Sequence, residues 1–385
     1  MKELVNKFES LFSKKAEHRY FSPGRINLIG EHIDYHGGKV LPAAISLGTY
    51  ALVAKRNDKK IRLYSENFSE QGIYEFDLSD LKYEAQDDWT NYPKGSIQVL
   101  IEAGYKLPHG FDILYYGNIP NGAGLSSSAS IEVLTIWIMN QIFDLQISRT
   151  DVALLAQKAE NEFVGVNCGI MDQFAVAKGK QGQAMLLDTG TVTCDYVPAI
   201  FEDASIVIMN TNKKRGLEDS DYNTRRLESE KAFELLQPAF GVDYLSEINV
   251  ADLAKVKEIL QDDVLYRRAK HVITENNRTY NAFAALENND LVTFGKLLNE
   301  SHLSLRDNYE VTGKALDTLA ENAWQQKGVY GARMTGAGFG GAAIALVKND
   351  DIDAFIDKVS IAYKEEMGYE ADFYIANIGD GVFEL

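Results

Sequence analysis

Residues 117–130 read GNIPNGAGLSSSAS, with three glycines and four serines directly before the apolar run SIEVLTIWIMNQIF at 130–143. The run is apolar almost all round, which predicts a helix buried within its domain. Glycines let backbone amides face a ligand, and the helix N-terminus adds unpaired N–H groups and a partial positive charge. The stretch therefore predicts an anion-binding loop, although it lacks the lysine of the usual phosphate loop. A plain glycine–serine turn with a serine cap is the alternative.

Composition excludes several classes of function. The chain has 385 residues, 45% of them apolar and 25% charged, as expected of a soluble protein of two domains. Its net charge of -17 argues against a nucleic-acid or membrane-surface partner, because both select clustered basic residues. The opening MKELVNKFESLF follows a helical period and is unlike a signal peptide. With two unpaired cysteines, Cys168 and Cys194, we expect a cytoplasmic protein.

Strand-like and helical segments follow one another without regular alternation. Strands are predicted at 49–58, 59–68, 109–120, 182–198 and 204–212, and long helices extend from there to about residue 325. A helix is also predicted at 148–163, opened by a capping box of Ser148 and Asp151. This pattern indicates an α+β protein with two domains, 1–198 and 199–385, divided near Pro198.

A second glycine run, GAGFGG at 336–341, fits the pattern G-x-G-x-x-G. The dinucleotide-binding fingerprint requires a strand before this pattern and a helix after it. Here the β-like sequence AAIALV follows the glycines. A nicotinamide-dependent dehydrogenase is therefore disfavoured.

Two further stretches carry side chains suited to chemistry. In SPGRINLIGEHIDYHGGKVLP (22–42), Glu31, His32 and Asp34 lie among glycines, where they could bind a metal, grip sugar hydroxyls or form a polar turn. The spacing is not H-E-x-x-H, so zinc is disfavoured. In VNCGIMDQF (166–174), the carboxylate of Asp172 has apolar neighbours. Such a carboxylate is either buried and paired or a base in a reaction.

Together these stretches resemble the galactokinases, a branch of the GHMP family of small-molecule kinases. GRINLIGEHIDY (24–35) is similar to the galactokinase signature, GNIPNGAGLSSSAS to the ATP loop of the family and MTGAGFGGAA (334–343) to its third motif. CGIMDQF (168–174) and SHLSLRDNYEV (301–311) resemble further galactokinase segments. Ile33 stands where threonine is usual, and Ala337 where glycine is common.

The resemblance implies a fold and a reaction. The fold is the α+β two-domain GHMP kinase fold, with the active site between the domains. Its N-terminal α/β domain is ribosomal protein S5 domain 2-like, with a left-handed βαβ crossover, and its C-terminal domain is ferredoxin-like. The reaction is that of a galactokinase, which transfers the γ-phosphoryl group of MgATP to the anomeric hydroxyl of α-D-galactose, giving galactose 1-phosphate and ADP. We expect a monomer with these two small-molecule substrates.

The resemblance also implies roles for single residues. Asp172 accepts the proton of the anomeric hydroxyl, and Arg25 keeps that carboxylate ionised and offsets phosphoryl charge. The sugar-binding positions are Glu31, His32, Ile33, Asp34 and Tyr222. The ATP cradle is Gly122, Ala123, Gly124, Leu125, Ser126, Ser127 and Ser128, with Ser65 and Trp89 near the nucleotide. Mg²⁺ is held by Ser128 and Glu160, a choice that rests on motif spacing, because the helical period does not separate Glu160 from Glu162.

Two alternatives stay open at the level of sequence. N-acetylgalactosamine kinases carry much the same signature, and the sequence does not show the room beside the 2-position of the sugar. A sensor that binds galactose and ATP without turnover is the other. The complete serine loop and the presence of Asp172 favour turnover.

Overall fold

The structure is a computed structural model that describes residues 1–120, 122–213 and 218–385. The first part of the chain contains α1 (Lys2–Phe12), β1 (His18–Asn27), β2 (Lys39–Val40), β3 (Pro42–Lys55), β4 (Lys60–Ser65), β5 (Tyr74–Asp77), α2 (Asn91–Glu102), β6 (Phe111–Gly117), α3 (Ser127–Phe143), α4 (Arg149–Lys158), α5 (Met171–Lys178), β7 (Gln183–Asp188) and β8 (Thr193–Pro198). The second part contains β9 (Ala204–Asn210), α6 (Glu218–Phe240), α7 (Leu253–Leu260), α8 (Asp263–Glu287), α9 (Leu291–Ser304), α10 (Gly313–Trp324), β10 (Val329–Thr335), β11 (Ala342–Lys348), α11 (Ile352–Met367), β12 (Asp372–Ile375) and β13 (Phe383–Glu384).

The first sheet has the strand order β13-β1-β3-β6-β4-β5. Only the pair β4 and β6 is parallel within the described residues. Helix α3 packs on this sheet and on α2, α4 and α5, and its side chains are buried on most of its circumference. The prediction of a buried helix is confirmed. Its burial fixes the helix N-terminus, where the serine loop ends.

The second sheet has the strand order β10-β11-β9-β12 and is antiparallel throughout. With helices between β9 and β10 and with α11 between β11 and β12, the connectivity is β-α-β-β-α-β, the ferredoxin-like arrangement. The glycine run 336–341 joins β10 to β11, so a strand follows it, as predicted. The GHMP kinase fold inferred from the sequence is confirmed.

The chain returns to the first sheet at its end. Strand β13 pairs with β1, with Tyr20 opposite Glu384 and Phe21 opposite Phe383. An isolated bridge between Ile45 and Ile378 lies on the same return path. Residues after β12 therefore pack with the first domain, although a simple division near Pro198 assigns them to the second. That boundary stays a prediction.

Two helices end in π-helical turns. Helix α4 continues into the turn Ala159–Val164, and α9 continues into the turn Leu305–Tyr309. π-Helical turns are rare and often mark functional sites, because the extra residue displaces side chains from the regular helical positions. Searched over the described ranges, the helices include none that combines the length and the apolar character needed to cross a membrane.

Candidate active site

Two cavities meet where the two domains face each other. The smaller has a volume of about 200 Å³ and is lined by the signature turn and by the glycine-rich turn 336–341. The larger has a volume of about 450 Å³ and is lined by the serine loop. Four residues line both cavities: Arg25, Gly124, Asp172 and Ala337. Among the described residues, these four mark the place where a molecule in one cavity would meet a molecule in the other.

Asp172 and Arg25 form the junction between the cavities. Asp172 lies in the first turn of α5, and Arg25 projects from β1 with only 4% of its surface exposed. Arg25 donates from Nε to Oδ1 and from Nη2 to Oδ2, both at 2.7 Å, and from Nη1 to the carbonyl oxygen of Gly124 at 2.8 Å. Ser126 Oγ donates to Oδ2 at 2.6 Å. The carboxylate of Asp172 is thus paired, and charge-assisted hydrogen bonds fix its plane.

Asp34 lies beside this pair in the smaller cavity. It opens the short 3₁₀ turn Asp34–His36, and a Cβ atom at Gly169 would stand 1.9 Å from its Oδ2. Only glycine therefore allows the approach. Burial, with the nearby charge of Asp172, raises the pKa of Asp34 to about 6, although backbone amides of its own turn and of Met171 oppose the shift. Its protonation state consequently changes close to neutral pH.

His32 and Tyr222, which the resemblance assigns to sugar binding, line the same cavity. His32 adopts a left-handed backbone conformation with φ 61°, which is uncommon outside glycine. Its Nε2 lies 3.0 Å from the carbonyl oxygen of Ala337, and its Nδ1 lies 2.8 Å from the hydroxyl of Tyr35. The ring centroids of His32 and Tyr222 are 5.4 Å apart. Burial lowers the pKa of His32 to about 3, so the ring is neutral.

Glu31 faces the cavity but is also joined to the second domain. Its Oε1 accepts from the amide of Gly336 at 2.7 Å, and its Oε2 accepts from Asn27 and lies 2.8 Å from Nη2 of Arg333. Burial raises the pKa of Glu31, and the charge of Arg333 opposes that rise. Ile33 differs from its neighbours, because its side chain is fully buried and does not line the cavity.

The serine loop lines the larger cavity. Gly122 and Gly124 have φ values of 73° and 67°, and Ser126, the N-cap of α3, has φ 65°. The helix begins at Ser127, so the free amides of its first turn face the loop, in agreement with the predicted anion site. The predicted cradle residues that line the cavity are Gly122, Gly124, Leu125, Ser126, Ser127 and Ser128. Ala123 is buried and does not line it.

The far end of the larger cavity is aromatic. Ser65 and Trp89, which are expected near the nucleotide, line it together with Phe68 and Tyr115. The rings of Phe68 and Trp89 are stacked, with centroids 6.4 Å apart and planes inclined by 14°. Flat aromatic faces of this kind suit a planar heterocyclic base. No motif in the sequence marks Phe68.

The π-helical turn places Glu160 and Glu162 in different environments, although the helical period does not distinguish them. Glu160 is buried, accepts from Gln173 Nε2 at 2.6 Å and lines the smaller cavity. Glu162 has 66% of its side chain exposed and pairs with Lys158 on the surface. Burial raises the pKa of Glu160, and a hydrogen bond with Ser128 opposes that rise. Ser128 and Glu160 are therefore neighbours across the boundary between the cavities.

Two functional candidates were missed by sequence reasoning. Glu132 of α3 is fully buried, and neither carboxylate oxygen has a hydrogen-bond partner among the described residues. Burial and the charge of Glu160 hold its pKa well above the usual range. The available signal was a single carboxylate in a run that is apolar all round. Lys213 lines the smaller cavity and donates to the carbonyl oxygen of Phe339 at 2.6 Å, a position that no motif marks.

Comparison with known families matches three stretches of the chain to one group of enzymes. The models that match are "GHMP kinases N terminal domain" at residues 91–180, "Galactokinase galactose-binding signature" at 6–55 and "GHMP kinases C terminal" at 282–365. The galactokinase of Clostridium beijerinckii is 53% identical over 382 residues, which are 99% of this chain and 98% of that relative. The chain belongs to the galactokinase family of GHMP kinases.

Other members of the galactokinase family agree with this assignment. The galactokinase of Enterococcus faecalis is 53% identical, over 99% of each chain. The crystal structure of the Lactococcus lactis galactokinase complexed with galactose is 47% identical, covers 100% of this chain and 99% of that one, and superposes with a TM-score of 0.98. A mevalonate kinase that is 18% identical superposes with a TM-score of 0.64 over 94% of this chain and 99% of that one, and shares the fold alone. The predictions of a GHMP kinase, of a galactokinase and of an ATP-dependent sugar kinase are confirmed.

Proposed function

We propose that this galactokinase transfers the γ-phosphoryl group of MgATP to the anomeric hydroxyl of α-D-galactose, with galactose in the smaller cavity and ATP in the larger. The observation that carries this proposal is the junction of the two cavities at Asp172 and Arg25. Phosphoryl transfer needs little covalent chemistry from the protein and depends on positioning and charge stabilisation. A carboxylate and a guanidinium held between two substrates provide both.

The roles at the junction follow from the charges. The ionised carboxylate of Asp172 accepts the proton of the anomeric hydroxyl, which makes that oxygen a better nucleophile. Each carboxylate oxygen has more than one lone pair, so the bonds from Arg25 and Ser126 leave an acceptor site for the sugar. Arg25 holds the carboxylate of Asp172 in place by two hydrogen bonds. It also offsets the negative charge of the phosphoryl group in transit.

The phosphates need no lysine within the loop. The amides of the serine loop and the first turn of α3 supply donors and a partial positive charge. Lys213, which follows β9 in the second domain, brings a full positive charge to the wall of the smaller cavity, on the side to which the phosphoryl group is transferred.

The residues near the loop fit a magnesium ion. No group of three histidine, cysteine, aspartate or glutamate side chains could by itself hold a metal in the described part of the chain. Magnesium is commonly held by one or two protein oxygens together with substrate phosphates, and Ser128 with the buried Glu160 supplies that set. The bound ion neutralises phosphate charge during transfer.

The metal assignment predicts a contrast between two glutamates. Ser128→Ala and Glu160→Ala should each raise the Mg²⁺ concentration needed for half-maximal rate, on the order of tenfold, whereas Glu162→Ala should leave it unchanged. The exposed position of Glu162 makes it the matched control. Titration of the rate with Mg²⁺ at fixed ATP measures the effect. Equal shifts for Glu160→Ala and Glu162→Ala would contradict the assignment.

The raised pKa of Asp34 predicts a pH dependence. Its folded pKa of about 6 lies above the ordinary 3.8, so the folded protein holds this proton until pH rises through 6. Above pH 6 the carboxylate accepts bonds from sugar hydroxyls. Below pH 6, kcat/KM for galactose should fall by about tenfold per pH unit, because this constant reports the free enzyme. The same shift makes the contribution of Asp34 to folding stability smaller as pH rises from about 4 to 6.

The pH prediction has an internal control. In Asp34→Asn, the residual kcat/KM should no longer fall below pH 6, since the amide does not titrate. A wild-type profile that stays flat between pH 5 and pH 7 would show that the ionisation of Asp34 is not needed for binding.

The reaction is tested by a coupled assay of ADP release with galactose, with N-acetylgalactosamine and without sugar. We expect release with galactose alone. Release mainly with N-acetylgalactosamine would favour that alternative, and binding of galactose without release would favour a sensor. We further propose that the enzyme works as a monomer in the cytoplasm on small-molecule substrates alone, since its net charge of -17 disfavours membranes and nucleic acids as partners.

A further inference from the structure

A chain of hydrogen bonds runs through the wall of the smaller cavity. Nδ1 of His32 lies 2.8 Å from the hydroxyl of Tyr35, which lies 2.9 Å from the hydroxyl of Tyr309. That hydroxyl lies 3.0 Å from Oγ of Ser229, and Oγ lies 2.7 Å from Nε2 of His36. Loss of any of these contacts would leave a polar group unpaired in a region shielded from water, which costs free energy.

At the end of the chain formed by His32, the hydrogen-bond partners determine which atoms carry protons. Nε2 of His32 lies 3.0 Å from the carbonyl oxygen of Ala337, and because a carbonyl only accepts, Nε2 carries the proton. The neutral ring then has no proton on Nδ1, which must accept from Tyr35. Tyr35 has given its only proton, so its contact with Tyr309 needs the proton of Tyr309. Tyr309 also donates to Oγ of Ser229, so its one proton is shared between Tyr35 and Ser229.

The chain joins three separate segments around the cavity. His32 and Tyr35 come from the turn after β1, Tyr309 from the π-helical turn after α9, and Ser229 from α6. Ser229 lies seven residues after Tyr222 on α6, so both face the same side of that helix. A hydrogen bond that restrains Ser229 therefore also restrains the position of Tyr222, which lines the cavity.

Tyr309 acts through its neighbours and not on the sugar. It is fully buried, and it is not part of the cavity lining, whereas His32, Tyr35 and Tyr222 are. Its ring packs against the rings of His32 and His271, with centroids 5.0 Å and 4.6 Å away. Phenylalanine would keep this packing and remove only the hydroxyl.

We propose that Tyr309 is a positioning residue for galactose binding, whose hydroxyl holds Tyr35 and His32 in the orientation that faces the sugar and, with Ser229, holds the helix that carries Tyr222. The inference rests on the proposed function, because it concerns the step in which galactose enters the smaller cavity. It adds a residue that touches neither the sugar, nor ATP, nor the junction of Asp172 and Arg25.

The kinetic test is Tyr309→Phe. We expect KM for galactose to rise about tenfold, which corresponds to about 1.4 kcal/mol, while kcat and KM for ATP change by less than about twofold. Ser229→Ala should shift KM for galactose in the same direction and carries the test if Tyr309→Phe does not fold. Tyr20→Phe is the matched control, because Tyr20 is fully buried and its hydroxyl has no hydrogen-bond partner among the described residues. It should change neither KM.

A spectroscopic measurement separates positioning from general loosening. The sequence has six histidines, so ¹⁵N NMR of their rings is tractable, with His32 assigned from its loss in His32→Gln. Wild-type His32 should show the Nε2–H tautomer, and Tyr309→Phe should shift its Nδ1 resonance, whereas Tyr20→Phe should not. Unchanged KM for galactose, an equal rise in KM for ATP, or an unchanged His32 spectrum would each overturn the proposal. If wild-type enzyme does not phosphorylate galactose, the proposed function fails instead, and the NMR comparison still tests the hydrogen-bond chain.

Discussion

Replacing Asp172 with asparagine should lower kcat about 10²–10⁴-fold in a protein that remains folded. The amide occupies the same space but cannot take the proton of the anomeric hydroxyl, and it cannot accept both bonds that Arg25 makes to the carboxylate. The measurement is steady-state turnover of galactose and ATP, with thermal unfolding recorded beside it.

Control measurements show whether the loss of kcat in Asp172→Asn comes from the chemical step. Asp353→Asn, on the exposed face of α11, should turn over at the wild-type rate. Near-normal turnover by Asp172→Asn would make the aspartate a structural partner of Arg25 and nothing more. If Asp172 only orients the sugar, KM for galactose will rise and kcat will fall little. An acidic limb should persist in the residual activity of Asp172→Asn but move below pH 6, because it belongs to Asp34, whose pKa the charge of Asp172 helps to raise.

The second large effect concerns the sugar. Glucose differs from galactose only in the direction of the 4-hydroxyl, and the wild-type enzyme should discriminate between them by about 10⁴-fold in kcat/KM. Asp34 packs against Gly169, where even a Cβ atom would not fit, so its carboxylate cannot shift toward that side. A 4-hydroxyl in the glucose orientation leaves this acceptor without its partner. 2-Deoxygalactose should remain a fair substrate, since its 4-hydroxyl is intact.

The variant Asp34→Ala completes that experiment. It should depress kcat/KM for galactose sharply, because the sugar loses a hydrogen bond and its alignment with the phosphate at once. The comparison is kcat/KM for galactose, glucose and 2-deoxygalactose with both proteins. Similar wild-type values for glucose and galactose would leave only a generic sugar kinase. Equal losses of kcat/KM for all three sugars in Asp34→Ala would show that Asp34 does not recognise the 4-hydroxyl.

Local sequence predicted the parts of the fold that local physics determines. The helix after the serine loop, the strand after GAGFGG and the Ser148 cap of α4 all depend on neighbours within a few residues, and the structure has them. Glu160 could not be chosen in this way. A period of 3.6 residues does not describe the π-helical turn that buries Glu160 and leaves Glu162 outside.

Contacts between distant residues lay beyond sequence reasoning. Glu31 was expected only to bind sugar hydroxyls, but its partner Arg333 is about 300 residues away, and no pattern near either one links them. The pairing of Arg25 with Asp172 was inferred from family resemblance and not from spacing. The side chains of Ile33 and Ala123 were included because their neighbours belong to motifs, while burial removes both from the cavities.

The return of β13 to β1 has a consequence for how the enzyme is made. Residues 383–384 are translated after the whole ferredoxin-like domain, yet they complete the edge of the first sheet. Until they emerge from the ribosome, one side of β1 offers unpaired backbone groups to other nascent chains. The first domain therefore reaches its final state last, and a ribosome that stalls within the second domain leaves an incomplete sheet on a chain that already contains every residue of the serine loop.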